Sequence, residues 1–293
     1  IKLAQLAKKN NKTLNICVIE KGSEVGAHIL SGAVLETKAL DELIPDWKSK
    51  DSPLKTEATK DNFLLLTKNR SFKLPTPPQM KNNGNYIVSL GNFCRWLAKQ
   101  AEELGVNVFP GFAASEIIYN DKKNKVIGIK TGDQGLDKDG NKLENFQEGY
   151  DLFAKQTIFS EGCHGSLTKQ LIKKYNLREN SNPQTYGIGL KELWEIKPEN
   201  HKKGEIIHSI GWPLDNKTYG GSFLYYLESN QVSVGFVIGL DYQNPYLSPF
   251  DEFQRFKTHP EIKKIFDGGK RISYGARALN EGGFQSIPKL TAP

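Results

Sequence analysis

IKLAQLAKK (Ile1–Lys9), a short NNK link, TLNICVIE (Thr13–Glu20) and then KG (Lys21–Gly22) form the stretch whose reading decides the fold. In Ile1–Lys9 the apolar residues Ile1, Leu3, Ala4, Leu6 and Ala7 share one helical face. Thr13–Glu20 is a short β-rich run that closes on an acid. Helix, strand and terminal acid make the second half of a βαβ dinucleotide unit, in which the acid holds the ribose hydroxyls of an adenosine. No strand and no G-x-G-x-x-G loop stands before Ile1, although that loop and the helix start after it normally carry the pyrophosphate. The stretch therefore predicts an internal piece of a larger flavin or nicotinamide protein. An ordinary helix and strand ending in glutamate is the alternative this stretch alone leaves open.

Working outward, 293 residues exceed one typical domain and favour two intertwined ones. With 38% hydrophobic and 25% charged residues, the chain has the composition of a folded α/β protein rather than a disordered one. Its net charge of +7 comes mostly from lysines scattered with asparagines, as in Lys122–Lys125. Such a balance suits nucleic acid or an anionic membrane surface. The sequence has no RGG tract, no zinc spacing and no basic helix interleaved with aromatics, so no nucleic acid is expected as a partner. Cys17, Cys94 and Cys163 share no C-x-x-C spacing and build neither a zinc site nor an iron–sulfur cluster alone. They read as reduced, mostly buried thiols. No signal peptide is evident, and no apolar run approaches the ~20 residues that span a bilayer. Membrane contact is accordingly expected to be peripheral or monotopic.

Ser23–Leu35 (SEVGAHILSGAVL) carries Gly26, Ala27, Gly32 and Ala33, small residues that let a backbone approach a planar ligand. Asp41–Lys60 reads as polar and irregular. Phe63–Met80 combines an apolar run, a polar tip at Thr67–Ser71 and a second strand with a proline-stiffened exit, the pattern of a hairpin. A turn at Asn82–Gly84 and a strand at Asn85–Leu90 precede Gly91–Leu104, a helix with Phe93, Trp96, Leu97, Ala101 and Leu104 on one face and a stop at Gly105. Val106–Phe109 and Glu116–Thr131 alternate like strands, Asp133–Gln147 reads as a polar loop, and Lys155–Ser160 as a buried strand running into Glu161-Gly162-Cys163-His164-Gly165-Ser166 and the helix Leu167–Tyr175. A glycine-bearing strand-to-helix turn of this kind presents backbone N–H groups to a phosphate or an isoalloxazine edge. Ser166 is expected to cap the helix; a generic strand-to-helix turn would look the same. Cys163 and His164 are neighbours on a turn and point apart, so no nucleophilic dyad is expected. Beyond Thr185 aromatic strands dominate, Gly220–Leu227 and Gln231–Gly239 among them, which predicts a second, sheet-based domain. Tyr219-Gly220-Gly221 opens one of these strands with bare backbone suited to a flat ligand such as a quinone, or with a bulge or turn.

Four runs carry a resemblance: Gly187–Trp194 (GIGLKELW), Tyr219–Tyr225 (YGGSFLY), Gly239–Phe250 (GLDYQNPYLSPF) and Tyr274–Lys289 (YGARALNEGGFQSIPK). Together with Gly26-Ala27-His28, Ser31-Gly32-Ala33, Asn83–Val88 and Glu161–Gly165, they resemble the electron transfer flavoprotein–ubiquinone oxidoreductase family, in order and over essentially the whole chain. The resemblance implies an α/β (α+β) fold: an FAD-binding Rossmann-like domain of the hydroxylase-like superfamily at 1–60 and 81–184, and a mostly antiparallel quinone-binding sheet domain at 185–293. It implies FAD, a [4Fe–4S] cluster and ubiquinone, electrons accepted one at a time from reduced electron transfer flavoprotein, and a monotopic seat on an inner mitochondrial or bacterial cytoplasmic membrane. By the same resemblance Glu20, with Lys21 beside it, holds the adenosine ribose. Gly26, Ala27, His28, Ser31 and Gly32 line the flavin, Glu161, Gly162 and Gly165 form the second FAD turn, and Gly220 and Gly221 contact the quinone. Residues 61–80 fall where the family has part of its membrane plug, but Lys68, Arg70 and Lys73 make them more basic than a plug, suited to anionic head groups. They equally suit a surface hairpin with its apolar side turned inward. The resemblance puts the glycine-rich loop before Ile1 and the cluster's four cysteines after Pro293. Geranylgeranyl reductase-like flavoproteins share the FAD turns but not the long runs, and a basic binding module without enzymatic activity is the rival from outside the class.

Overall fold

The computed structural model describes residues 1–29 and 32–293. Helix α1 (Lys2–Lys9) leads into strand β1 (Cys17–Glu20), shorter than the β-rich run suggested. After β2 (Gly32–Leu35) come α2 (Lys38–Leu43), β3 (Thr56–Glu57), β4 (Lys60–Leu66), β5 (Ser71–Leu74) and β6 (Tyr86–Ser89). Helix α3 (Leu90–Glu102) starts where the Ser89 hydroxyl accepts the Asn92 N–H at 3.4 Å, and gives way at Gly105 with φ +83°. It returns the chain to β7 (Asn107–Pro110), which pairs parallel with β1 in the register Cys17↔Asn107 to Glu20↔Pro110. Ala4 of α1, Ala101 of α3 and Val106 form a small core with Ile16, just before β1, and Val108 of β7. Two parallel strands clasped by helices are what the opening stretch demands of a dinucleotide unit.

Residues 41–60, read as irregular, are folded. Leu40, Ile44, Trp47 and Leu54 are buried against Val88 and Trp96, and the Trp96 Nε1–H donates to the Lys50 carbonyl at 2.9 Å. The apolar residues there are spaced without period, so their burial left no pattern to read. β2, β6 and β3 make a three-stranded antiparallel sheet beside them.

β8 (Ala114–Tyr119) and β9 (Val126–Thr131) form the expected hairpin. The segment read as a polar loop folds into a further hairpin, β10 (Gln134–Leu136) and β11 (Lys142–Gln147), whose turn is closed by the Asp137 carboxylate accepting the Asp139 and Asn141 N–H groups at 2.8 Å. β12 (Asp151–Phe153) joins β9. The strand expected at 155–160 does not form, and Ile158 is 80% exposed. A strand needs a lateral partner for its N–H and C=O groups, and among the described residues none runs beside this segment.

α4 (Ser166–Lys174) leads to β13 (Tyr186–Glu195), β14 (Glu205–Gly211), β15 (Gly220–Tyr226) and β16 (Gln231–Gly239), then α5 (Pro249–Lys257), α6 (Pro260–Phe266) and β17 (Lys270–Asn280). These strands build a seven-stranded sheet in the order β17-β13-β16-β15-β14-β4-β5. The hairpin of residues 61–80 is thus hydrogen-bonded into the large sheet: β4 runs parallel to β14, from Glu205↔Lys60 to Gly211↔Leu66. α5 and α6 cover one face, where Leu224, Tyr226, Val232, Val234, Phe236, Phe253 and Phe256 make the main core.

Candidate functional site

Strand alternation sends every second residue to the face that α5 and α6 leave open. The register lays these residues out in three parallel rows. One row runs Arg277, Gly189, Val237, Gly221 and on through Ile210, Leu65 and Phe72. The next runs Gly275, Lys191, Gly235, Phe223, His208, Phe63 and Leu74. The third runs Ser273, Leu193, Ser233, Tyr225, Ile206 and Asp61. Rows two residues apart lie about 6.8 Å from one another. The third row is roofed by the three-stranded sheet: Val34 and Ile87 pack with Leu193, Ile206 and Tyr225. A Cβ on Gly32 would stand 3.1 Å from the Ser233 Oγ, so glycine lets that sheet settle. The first two rows form a trough with a glycine floor, aromatic in the middle and apolar toward the hairpin, where Phe72 is 48% exposed.

Within the trough the Phe223 ring lies across Gly235, stacks on Tyr225 at 4.5 Å between centroids, and has the Lys191 Nζ 5.1 Å from its own centroid. Burial pulls the Lys191 ammonium down to about 8 and pushes the Tyr225 hydroxyl up to about 12. His208 lies 3.2 Å, Nε2 to OH, from Tyr225; burial lowers its pKa, against the opposing charge of Asp61. Gly220 and Gly221 sit in regular strand, neither a bulge nor a turn. A Cβ on Gly221 would lie 2.6 Å from the Ser209 carbonyl oxygen, so close strand packing requires glycine there. Gly220 faces Leu214, on the side of the main core.

Two loops border the β13–β17 end of this face. The Glu20 carboxylate, at the carboxyl end of β1, accepts the Gly22 N–H at 2.6 Å, and Lys21 is exposed beside it. Gly26, with φ +84°, passes so near Gly91 at the start of α3 that a Cβ would lie 2.6 Å from the Gly91 oxygen. Ala27 and His28 are exposed, and the His28 carbonyl accepts two hydrogen bonds from Arg277, from Nη2 at 2.8 Å and Nε at 3.2 Å. Ser31 lies outside the described residues.

In the second loop the cap of α4 is not Ser166, which is the first helical residue, but Glu161. Its carboxylate accepts the N–H of Leu167 at 3.2 Å and both N–H and hydroxyl of Thr168 at 2.6 Å. A carboxylate satisfies the positive helix end better than a hydroxyl does. Gly165 makes room, since a Cβ there would be 2.7 Å from the Glu161 Oε2, and Gly162 turns with φ +78°. Glu161→Ala is therefore expected to cost about 1–2 kcal/mol, read as a lowered urea midpoint, with Glu161→Asp intermediate. His164 stacks on Tyr186 at 4.9 Å, turned toward β13. Both loops thus attach to the β13–β17 pair, at Tyr186 and Arg277.

Cys17 is exposed, against the expectation of burial, because β1 has a partner on one side alone among the described residues; Cys94 and Cys163 are half-buried and all three are free. Among the described residues no group of three His, Cys, Asp or Glu is placed to hold a metal ion, so they do not fit a [4Fe–4S] cluster. Lys191, His208, Tyr225 and Arg277 were missed as site residues. The available signal was the alternation in Gly187-Ile188-Gly189-Leu190-Lys191, which puts a lysine on the same face as two glycines.

Residues 186–279 match the family model described as ETF-QO, ubiquinone-binding, which covers β13 to β17 almost entirely. The mitochondrial electron transfer flavoprotein–ubiquinone oxidoreductase of Dictyostelium discoideum is 58% identical over 100% of this chain, of which it leaves 48% of its own length aligned. That of Homo sapiens is 56% identical, again over 100% of this chain and 48% of its own. The chain therefore spans about half the length of the curated relatives it matches. Among solved structures, a geranylgeranyl bacteriochlorophyll reductase-like protein from Thermoplasma acidophilum superposes with a TM-score of 0.62 at 18% identity, covering 94% of this chain and 62% of its own. That likeness shows the fold, a mixed α/β chain of several sheets. Aligned over its whole length at 56–58% identity, the chain is similar to the electron transfer flavoprotein–ubiquinone oxidoreductases, and its residues 186–279 match the model described as ubiquinone-binding.

Proposed function

We propose that this chain forms flavin-facing and quinone-binding parts of an oxidoreductase that takes electrons from reduced electron transfer flavoprotein and passes them to ubiquinone. The observation that carries this reading is one of place: the residues matching the ubiquinone-binding model form the sheet whose open face is the glycine-floored trough. Residues 1–60 and 81–184 are assigned to the FAD part and 185–293 to the quinone part, with the hairpin joined to the latter.

The residues present fit two sides of FAD. Glu20 offers a half-buried carboxylate at the carboxyl end of a parallel strand, the usual seat of an adenosine ribose. Gly26, Ala27, His28, Ser31 and Gly32 supply the isoalloxazine side, and Glu161, Gly162 and Gly165 the second turn. FAD, when bound, supplies one- and two-electron carriage. The chain's own task is to hold it: Arg277 fixes the His28 carbonyl and so sets the 26–28 loop against β17. The quinone ring lies flat on Gly221, with Gly220 contributing backbone. Its tail follows Ile210, Leu65 and Phe72 toward the hairpin, whose Lys68, Arg70 and Lys73 meet anionic lipid head groups. No described helix is long and apolar enough to cross a membrane, which suits monotopic seating on an inner mitochondrial or bacterial cytoplasmic membrane.

The test is made on the protein that carries this chain. FAD fluorescence should be quenched on binding, and reduced electron transfer flavoprotein should be reoxidised only when a short-tail ubiquinone is added. Oxidation should follow lipid vesicles containing anionic head groups and weaken with salt. A folded protein that binds no FAD, or one that binds nucleic acid with a steep salt dependence instead, would overturn the reading.

A further inference from the structure

We propose that His259 is the positioning residue that aims the tip of the β4–β5 hairpin, and with it the mouth of the trough, at the lipid surface. The inference rests on the lipid reading of that hairpin given above and deepens it by naming the side chain that sets the tip's direction.

The end of a two-stranded hairpin is loose unless something outside it takes up its backbone groups. β4 and β5 are paired as far as Leu66↔Ser71, and the parallel ladder with β14 ends at Gly211↔Leu66. Residues 67–70, which carry Lys68 and Arg70, lie past both ladders and are exposed. Thr67 closes their turn: its N–H donates to the Arg70 carbonyl at 2.9 Å, and its hydroxyl accepts the Arg70 N–H at 3.3 Å. The Thr67 carbonyl is left over, and it accepts from the His259 Nε2 at 3.0 Å. Among the described residues, this is the hydrogen bond that ties the tip to an element outside the hairpin.

His259 is itself firmly held. It stands between α5 and α6, is fully buried, and its Nδ1 accepts the Glu261 N–H at 3.2 Å, which caps α6. A ring nitrogen that accepts carries no proton, which leaves Nε2 as the donor the Thr67 carbonyl requires. The ring packs against Trp212, with centroids 5.5 Å apart. Trp212 in turn donates its backbone N–H to the Leu66 carbonyl at 2.9 Å. The Arg255 guanidinium lies 5.8 Å from the Trp212 ring centroid and is paired with Glu252 at 2.7 Å. Leu66 and Thr67, the last residue of β4 and the first of the tip, are thus gripped from the α5–α6 side by Trp212 and His259. Leu65 and Phe72, the apolar end of the trough, lie on the opposite face of the same two strands. A grip on one face of the hairpin sets the angle at which the other face, and the cations of the tip, meet a bilayer.

The two ring nitrogens are separable by substitution. Asparagine places an oxygen near Nδ1 and keeps the cap, but is too short to reach Thr67; glutamine places an amide near Nε2 and keeps the bond to Thr67, but caps poorly. In the whole protein, His259→Asn should weaken binding to vesicles of phosphatidylcholine and phosphatidylserine about 10-fold, roughly the worth of one or two cations at an anionic surface. It should raise the KM for vesicle-borne ubiquinone-10 by a like factor relative to that for ubiquinone-1. His259→Gln should hold both values near those of the wild type even where its urea midpoint falls. Vesicle binding that follows the urea midpoint in the two variants, or that is unchanged in His259→Asn, overturns the assignment and leaves His259 a helix cap.

A second measurement needs no variant and decides the matter even where a substitution does not fold. Amide hydrogen exchange of the wild-type protein should slow at residues 67–70 when these vesicles are added, while exchange of the Glu261 N–H, which reports the grip, stays as it was. Faster exchange at Glu261 on docking would mean that the grip opens to let the tip bind, and overturns the assignment. Failure of the wild-type protein to bind the vesicles, with no slowing at 67–70, overturns instead the lipid reading on which the proposal rests.

Discussion

Gly221→Val should abolish saturable reduction of a short-tail ubiquinone, raising its KM more than about 100-fold, while FAD binding is kept. The reason is spatial. Gly221 faces the trough between Val237 and Ile210, and a Cβ there would stand 2.6 Å from the Ser209 carbonyl oxygen and 3.6 Å from the Ile210 Cγ2. β15 has to draw away from β14, an overpacking cost of about 1–3 kcal/mol. The isopropyl group then stands where the ring is proposed to lie. Gly220→Ala separates the two effects. Its Cβ would meet the Val237 carbonyl oxygen of the neighbouring strand and, at 2.6 Å, Leu214 on the main-core side, so a comparable loss of stability is expected with a much smaller change in KM. The check is steady-state kinetics with ubiquinone-1 beside urea unfolding; equal KM changes in both variants would sink the assignment of the trough.

The largest expected loss of stability comes from the other face. The Glu192 side chain is 3% exposed and joins Lys257 of α5 at 2.7 Å and Arg271 of β17 at 3.2 Å, while the Trp194 Nε1–H donates to it at 2.7 Å. Burial by itself raises the Glu192 carboxyl, but the Lys257, Trp194 and Arg271 donors outweigh it and hold the group below the usual carboxylate value. Glu192→Ala leaves the Lys257 ammonium, only 13% exposed, without its closest partner. The expected cost is about 3–5 kcal/mol, against a few tenths for the exposed pair Lys264–Glu261. The sign with pH follows from the depressed folded value. The contribution is fully present above the unfolded pKa, about 4.3, and is lost as pH falls through the folded one. Urea midpoints of wild type and Glu192→Ala should therefore differ widely at pH 7 and converge as pH falls below about 4. A difference independent of pH would show that the carboxylate's charge is not what holds α5 to the sheet.

Elements with a strong local signal were legible. The α3 stripe of Phe93, Trp96 and Ala101, its stop at Gly105 and the hairpin around Thr67–Ser71 all fold where their residues put them. Elements whose structure depends on a distant partner were not. The 155–160 run has strand composition and no strand beside it among the described residues, while 133–147 has loop composition and pairs with itself. Glu161 took the capping role from Ser166 because its longer side chain reaches back over Gly165 to the helix N–H groups, a reach that spacing alone does not reveal.

The sequence by itself determined the class of fold and the likeness to one family, since these rest on local periodicity and on long runs of residue identity. It also pointed to Glu20 at the end of its strand and to the paired glycines. Only the tertiary structure decided that β4 and β5 extend the large sheet, that Gly221 and Gly220 face opposite sides, and that Lys191 lies over Phe223 beside the trough. These are matters of register between strands as distant as residues 61 and 206, and a shift of one residue would turn every side chain to the other face.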